Sequence, residues 1–246
     1  DSTVVRRMRA AGAVPFGKTN VPVLSATGSH ANDSWAGPTL NAAAPESLPG
    51  GSSAGTATAV GASFAVLGLA EETGGSIQNP ASAQGLVGIK PTFALVPNAG
   101  VVPLAGSTRD VVGPIARCVR DAALTLDVLA GYTPADPKTV AGIGKRPRGG
   151  YTAHLDTGAL KGKRLGLFGP GWRDLPLSPE AGTLYARAQD EIAARVDDST
   201  LLRVTEHLVG CGDLFEALLL VGIHVGVQFT SLLAVGPLDL LVAGAL

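Results

Sequence analysis

The chain of 246 residues carries 19 basic and 20 acidic side chains, so its formal net charge of −1 gives no electrostatic basis for binding nucleic acid. Apolar residues make up 46% of the chain and glycine contributes 33 residues, a composition that suits a buried α/β core and excludes a disordered chain. The two cysteines, Cys118 and Cys211, lack metal-binding spacing, and the sequence predicts neither a metal nor a cofactor site.

The first part of the chain is predicted to alternate short elements with a long loop. Residues 3–11 form an amphipathic pattern that predicts a helix ended by Gly12, and 13–17 are apolar enough to predict a short buried strand. Residues 20–48 predict a long ordered loop of the kind that is usually functional. The uncharged, proline-free stretch 53–69 predicts one buried helix.

Further along the chain, hydrophobic periodicity and turn residues predict a continuing series of strands and helices. In chain order these are a strand at 85–89, a stretch at 112–115 that leads into a helix at 119–130, a linker at 134–150, a strand at 163–168 and a helix at 179–195. Ser178 is predicted to be the N-cap of the last helix, with Pro179 in its first turn. Cys118 is predicted to be a small buried hydrophobe.

The chain is predicted to divide into a core at 1–198 and an apolar C-terminal segment at 199–246. Three interpretations of this segment stay open: buried core helices or strands, a membrane span, or a non-native tail. A span needs roughly 20 mostly apolar residues. Polar side chains interrupt the stretch, including His224 and Gln228, so the sequence favours a buried core.

Two serines framed by glycines are the most informative feature. Ser52 lies in residues 49–55 (PGGSSAG), and Ser76 follows 24 positions later in residues 73–76 (TGGS). Glycine lets the backbone approach a ligand closely, and a serine hydroxyl can attack or relay a proton. A return from the predicted helix would bring the two hydroxyls together. Ordinary turns remain an alternative, whereas a phosphate-binding loop lacks the Lys-Ser/Thr that should close it.

These motifs, together with EETGGSIQNPAS and GLVGIKPT, resemble the amidase signature enzymes, which are serine hydrolases that act on amides. The similarity runs from about Asp1 to roughly Arg195. It implies an α/β fold in which a mixed, twisted central sheet is covered by helices on both faces. It also implies hydrolysis of a carboxylic amide to an acid and ammonia or an amine, by a Ser-Ser-Lys mechanism.

The resemblance assigns roles to residues of both motifs. Ser76 is the implied nucleophile, and Ser52 is the implied relay that passes its proton to a neutral lysine. The peptide bond before Ser52 is cis in the family. Backbone N–H groups of Thr73, Gly74, Gly75 and Ser76 are the implied oxyanion hole.

The chain departs from the family at two positions beside the nucleophile. The family often has Asp and Arg where this chain has Glu72 and Gln78, so a hydrogen bond between these two side chains is predicted in place of an ion pair. This change concerns substrate class more than chemistry. Ser53, next to the relay serine, is predicted either to support the site or to cap the helix that follows it, and the cap is favoured.

The catalytic lysine of the family stands in a GxPxxxKD-like motif ahead of the segment that resembles residues 1–20. No such motif occurs here, and Lys18 and Lys90 match other family lysines. We therefore expect the N-terminal part of the family domain to be missing, and the chain as given to be inactive. The four histidines stand in no motif, so no Ser-His-Asp triad is supported.

Alternative functions follow from the same features. The chain could be an inactive amidase-like fragment that acts as a binding protein, or an amidotransferase A-type subunit of a larger complex. Residues 214–246 keep a membrane-associated protein as a third, less favoured class. The predicted partner is a small-molecule amide, without nucleic acid, and the sequence is compatible with a homodimer. A cytoplasmic location is predicted, since the cysteine count permits a reducing compartment.

Overall fold

The computed structural model describes residues 1–26, 34–105, 108–161, 165–168, 177–195, 201–204, 219–222 and 231–234. The chain divides into two compact units, Asp1–Ala153 and His154–Ala245. The boundary predicted at residue 198 stays a prediction.

Helices and short strands alternate in the described part of the first unit. Its regular elements are α1 (Thr3–Ala10), α2 (Ala54–Gly61), β1 (Leu67–Glu72), α3 (Gln78–Ala83), β2 (Val87–Gly88), β3 (Val111–Ala116) and α4 (Val119–Leu129). The strands form an antiparallel sheet in the order β1-β3-β2. The central strand β3 is buried along its whole length, which suits its apolar sequence VVGPIA.

The core of the first unit lies between this sheet and the helices packed on it. Ile77 and Ile115 are fully buried in one cluster with residues of α2 and β1. Leu126 and Leu129 of α4 are also fully buried, at the helical spacing that predicted this helix. Burying each such side chain stabilises the fold by about 1.5–3 kcal/mol.

The single helix predicted over 53–69 is wrong in its second half. Helix α2 ends at Gly61, and Ser63 then has a positive φ of 63°. The chain returns as β1, which pairs with β3 from Leu67↔Ala116 to Glu72↔Val111. A short apolar run has the same composition in a buried helix and in a buried strand. The available hydrogen-bonding partner decided between them.

The buried strand predicted at 13–17 is also wrong. Val14 is 87% exposed and Phe16 is 85% exposed, and no described segment pairs with this stretch. A strand requires a neighbour for its N–H and C=O groups. The helix before it is confirmed as α1, and Gly12 follows it with a φ of 90°.

Two smaller predictions are corrected in the same unit. The predicted linker at 134–150 contains an ordered 3₁₀ helix, Pro137–Gly142, in which Thr139 is fully buried and its hydroxyl donates to the carbonyl of Asp136. Cys118 is exposed instead of buried, because it stands at the N-cap of α4, outside the apolar face of that helix.

The second unit contains β4 (Leu165–Phe168), α5 (Pro179–Ala193), β5 (Leu201–Val204), β6 (Leu219–Gly222) and β7 (Ser231–Ala234). Its sheet has the order β5-β4-β7-β6 and is mixed, with β4 parallel to β5 and antiparallel to β7. The cap predicted for α5 is confirmed, because the Ser178 hydroxyl accepts from the N–H of Ala181 at 3.1 Å.

Much of the C-terminal segment predicted at 199–246 lies outside the described residues. Within it the structure describes the three strands β5, β6 and β7. Among the described residues, no helix combines the length and the apolar character that crossing a bilayer requires.

Candidate active site

The glycine loop at 49–55 is held by the start of α3. Gly50 has a φ of 72°, and a Cβ there would lie 2.5 Å from the Cα of Pro80, so a side chain is excluded. The next residue, Gly51, donates its N–H to the Asn79 side-chain oxygen at 3.0 Å. The Gly51–Ser52 peptide bond is cis, as the resemblance implied. Backbone and side-chain contacts thus place Ser52 at the start of α2.

Ser53 joins the two serine motifs. Its N–H donates to the carbonyl of Ser76 at 3.3 Å, which brings the 49–55 loop against the 73–76 turn. Its hydroxyl donates to the carbonyl of Glu71 at 3.3 Å and accepts from the N–H of the same residue at 3.4 Å. The predicted helix cap is therefore wrong: Ser53 occupies the N-cap position, but its side chain is bound to β1.

Both predicted catalytic serines are buried. Ser52 is 2% exposed and Ser76 is 8% exposed. Among the described residues, neither hydroxyl has a hydrogen-bond partner. The residues around the hydroxyls of Ser52 and Ser76 are, by contrast, hydrogen-bonded.

Open space and backbone donors without a described acceptor lie together at the 73–76 turn. Gly75 has a φ of 117°, a conformation that other residues rarely adopt. A Cβ at Gly74 would meet no atom within 4 Å, so the space in front of that residue is open. The N–H groups of Gly74, Gly75 and Ser76 donate to no acceptor among the described residues. Several free donors beside open space can receive a developing oxyanion.

Glu72 anchors the segment that follows the turn. This side chain is 1% exposed, and it accepts the N–H of Ile77 at 2.9 Å and the N–H of Gln78 at 3.0 Å. The side-chain amide of Gln78 donates to the other carboxylate oxygen at 2.6 Å. The hydrogen bond predicted between these two side chains is confirmed.

Replacing Glu72 by alanine is expected to destabilise the protein strongly. The change leaves three donors without their acceptor, and an unsatisfied buried donor costs about 1–3 kcal/mol. A total of about 3 kcal/mol or more corresponds to a fall of roughly 6–12 °C in melting temperature. Thermal unfolding followed by circular dichroism measures it. The control, Glu46→Ala at an exposed carboxylate, should stay within about 2 °C. An equal effect of both variants would show that the Glu72 contacts add no stability.

Sequence reasoning missed a second acidic cluster beside the turn. The Thr73 hydroxyl lies 2.6 Å from the Asp110 carboxylate and 3.3 Å from the Glu71 carboxyl. Burial and the nearby charges of Asp110 and Glu72 raise the pKa of Glu71 to about 7, against the opposing effect of the Thr73 hydrogen bond. Two adjacent glutamates in an otherwise apolar strand are the signal that could have drawn attention to this cluster.

No described lysine is hydrogen-bonded to either serine. The described lysines are Lys18, Lys90, Lys138, Lys145 and Lys161. Within the described ranges, His, Cys, Asp and Glu side chains form no cluster able to hold a metal ion.

The sequence is similar to that of known proteins over most of its length. The amidase family model matches residues 1–194. The chain belongs to the amidase signature family. The A-type subunit of the glutamyl-tRNA(Gln) amidotransferase of Methanothermobacter thermautotrophicus is 47% identical over 140 residues, which cover 57% of this chain and 30% of that protein. Its counterpart from Acinetobacter baumannii is 41% identical over 199 residues, covering 81% of this chain and 37% of that protein.

Solved amidase signature structures confirm the α/β fold class. The native peptide amidase of Stenotrophomonas maltophilia is 38% identical with a TM-score of 0.71, and the match covers 83% of this chain and 41% of that enzyme. The chain thus spans about a third of the length of the curated amidase relatives it matches.

Proposed function

We propose that this chain carries the two-serine part of an amide-hydrolysing site, with Ser76 as nucleophile and Ser52 as proton relay. The single observation that carries the proposal is the hydrogen bond from the N–H of Ser53 to the carbonyl of Ser76 at 3.3 Å. This hydrogen bond joins the two glycine-serine motifs, while the hydroxyls of Ser52 and Ser76 have no hydrogen-bond partner among the described residues. Membership of the amidase signature family supports the reaction class.

The proposed reaction proceeds through an acyl-enzyme. The Ser76 Oγ attacks the amide carbon, its proton passes to the Ser52 Oγ, and Ser52 transfers its own proton to a neutral lysine. The carbonyl oxygen becomes an oxyanion that accepts hydrogen bonds from the free N–H groups of Gly74, Gly75 and Ser76, with Thr73 as a further proposed donor. The intermediate collapses, the C–N bond breaks, and the nitrogen leaves with a returned proton. Water then hydrolyses the ester by the reverse proton route and releases the acid.

The lysine in this scheme has no counterpart among the 246 residues, since none of the six lysines stands in the family motif. The mechanism therefore requires a lysine from outside the chain. A hybrid protein provides the test: the upstream, lysine-bearing segment of the peptide amidase is joined ahead of Asp1.

The chain alone is expected to be inactive on amides, because the Ser76 proton has no acceptor at neutral pH. Loss of one member of such a catalytic group removes most of the acceleration, often about 10⁴-fold or more. The measurement is ammonia release from a panel of aliphatic, aromatic and peptide amides, by the chain and by the hybrid. Turnover by the chain at the rate of a full-length amidase would show that another residue replaces the lysine. Lys18→Ala and Lys90→Ala would then identify it.

Amide transfer is a second candidate function, favoured by the 47% identity to the A-type subunit of an amidotransferase. In this case the ammonia released at Ser76 would be passed to glutamyl-tRNA(Gln) within a complex. Assaying the hybrid alone for hydrolysis of peptide amides, and together with the other subunits of the amidotransferase for amide transfer, separates the two candidates. An inactive, binding-only chain would show neither activity in the hybrid. Dimerisation and a cytoplasmic location stay predictions.

A further inference from the structure

The Glu71–Thr73–Asp110 cluster is unused in the proposed reaction, yet it borders the 73–76 turn. Glu71 is the penultimate residue of β1. The Ser53 hydroxyl donates to its carbonyl oxygen and accepts from its N–H group. Thr73 is the first residue of the turn, and its hydroxyl stands between the carboxyl groups of Glu71 and Asp110.

The number of available protons limits how these three groups can bond. A threonine hydroxyl has one proton to donate and two lone pairs to accept with. Asp110 is the nearer acceptor, at 2.6 Å, against 3.3 Å for Glu71. Asp110 also accepts the N–H groups of Leu104 at 2.9 Å and Ala105 at 3.0 Å, as a carboxylate does. The Thr73 proton therefore points to Asp110. The Glu71 contact is then a hydrogen bond only when Glu71 itself supplies the proton.

We propose that Glu71 is a positioning residue, whose protonated carboxyl donates to the Thr73 hydroxyl and so holds the 73–76 turn in its open-site geometry. The proposal rests on the proposed function of that turn. Deprotonation of Glu71 replaces the hydrogen bond by two carboxylates competing for one hydroxyl, which releases Thr73 on that side.

The surroundings favour the protonated form near neutral pH. The charged groups that act on Glu71 are the carboxylates of Asp110 and Glu72. The neighbouring elements β3 and α2 have no charged side chain to offset them. Burial and these two carboxylates raise the pKa of Glu71 to about 7, and donation by Thr73 to Asp110 instead of Glu71 removes the one contact that opposes the rise. Because the raised pKa lies in the folded state, the protonated form prevails below pH 7 and is lost as the pH rises through that value.

Nuclear magnetic resonance of the chain as it stands tests the proposal without any activity. The side-chain carboxyl of Glu71 and the backbone amides of Gly74, Gly75 and Ser76 are followed between pH 5 and pH 9. All are expected to change with a common midpoint near pH 7. In Glu71→Gln, whose amide can donate to Thr73 at every pH, the three amides should lose this transition, whereas Glu46→Gln should retain it. The proposal would be overturned if the amide signals of the turn did not change with the ionisation of Glu71, or if Glu71→Gln showed the same transition as the parent.

A second measurement uses the hybrid protein and a fluorophosphonate probe. The labelling rate of Glu71→Gln relative to the parent should rise by about tenfold or more between pH 6 and pH 8.5, since only the parent loses the proton. A purely structural role predicts a ratio independent of pH, and such a ratio would contradict the proposal. Absence of Ser76 labelling in both proteins would contradict the proposed function, while the amide midpoints would still decide the role of Glu71.

Discussion

Replacing Ser76 by alanine is expected to abolish covalent labelling of the hybrid by a fluorophosphonate probe, and to lower amide turnover by about 10⁴-fold or more. The probe forms a covalent bond with the oxygen of an activated serine. The Ser76 hydroxyl, and the N–H groups of the 73–76 turn beside it, have no hydrogen-bond partner among the described residues. Mass spectrometry of the peptide that carries the adduct identifies the reacting serine.

Ser82→Ala is the matched control for this experiment. The Ser82 hydroxyl is also buried and has no hydrogen-bond partner among the described residues, but it lies in α3, outside the 73–76 turn. Labelling should therefore be unchanged in that variant, because a free hydroxyl is not sufficient for reaction. Labelling that survives Ser76→Ala would refute the assignment of the nucleophile.

Replacing Ser52 by alanine is expected to lower turnover of the hybrid by about 10²–10⁴-fold, the range typical of a positioned acid or base. Melting should change little, because the Ser52 hydroxyl forms no hydrogen bond with a described residue and its loss breaks none. Steady-state kinetics and thermal unfolding on the same preparations separate the two effects.

The adjacent serine supplies the matched control for Ser52. The Ser53 hydroxyl makes two hydrogen bonds to the backbone of Glu71, so Ser53→Ala should lower the melting temperature by a few degrees. Its effect on turnover should be smaller than that of Ser52→Ala. A loss of turnover under threefold for Ser52→Ala, with unchanged melting, would refute the relay role of Ser52.

Local signals in the sequence were sufficient for several elements of the fold. The helical spacing of Leu126 and Leu129 predicted α4, and the Ser178 cap predicted the start of α5, because these patterns act over three or four residues. The pairing of Glu72 with Gln78 was predictable from the family resemblance, because the Asp and Arg at these positions pair in the family.

Long-range pairing decided what local patterns could not. Residues 67–69 are as apolar as the rest of the predicted helix, yet they begin β1 because β3 offers hydrogen-bonding partners along its full length. Val14 and Phe16 carry a strand-like pattern but have no described strand to pair with.

The sequence by itself determined which residues are candidates for amide hydrolysis, because the glycines around Ser52 and Ser76 indicate where the backbone turns tightly. Only the tertiary structure decided how the surrounding side chains are used. It assigned the Ser53 hydroxyl to β1 in place of α2, and it placed Asp110 beside Glu71 from a position far along the chain. Hydrogen-bond partners and pKa values depend on distances and burial in the folded protein, and these do not follow from the separation of residues along the sequence.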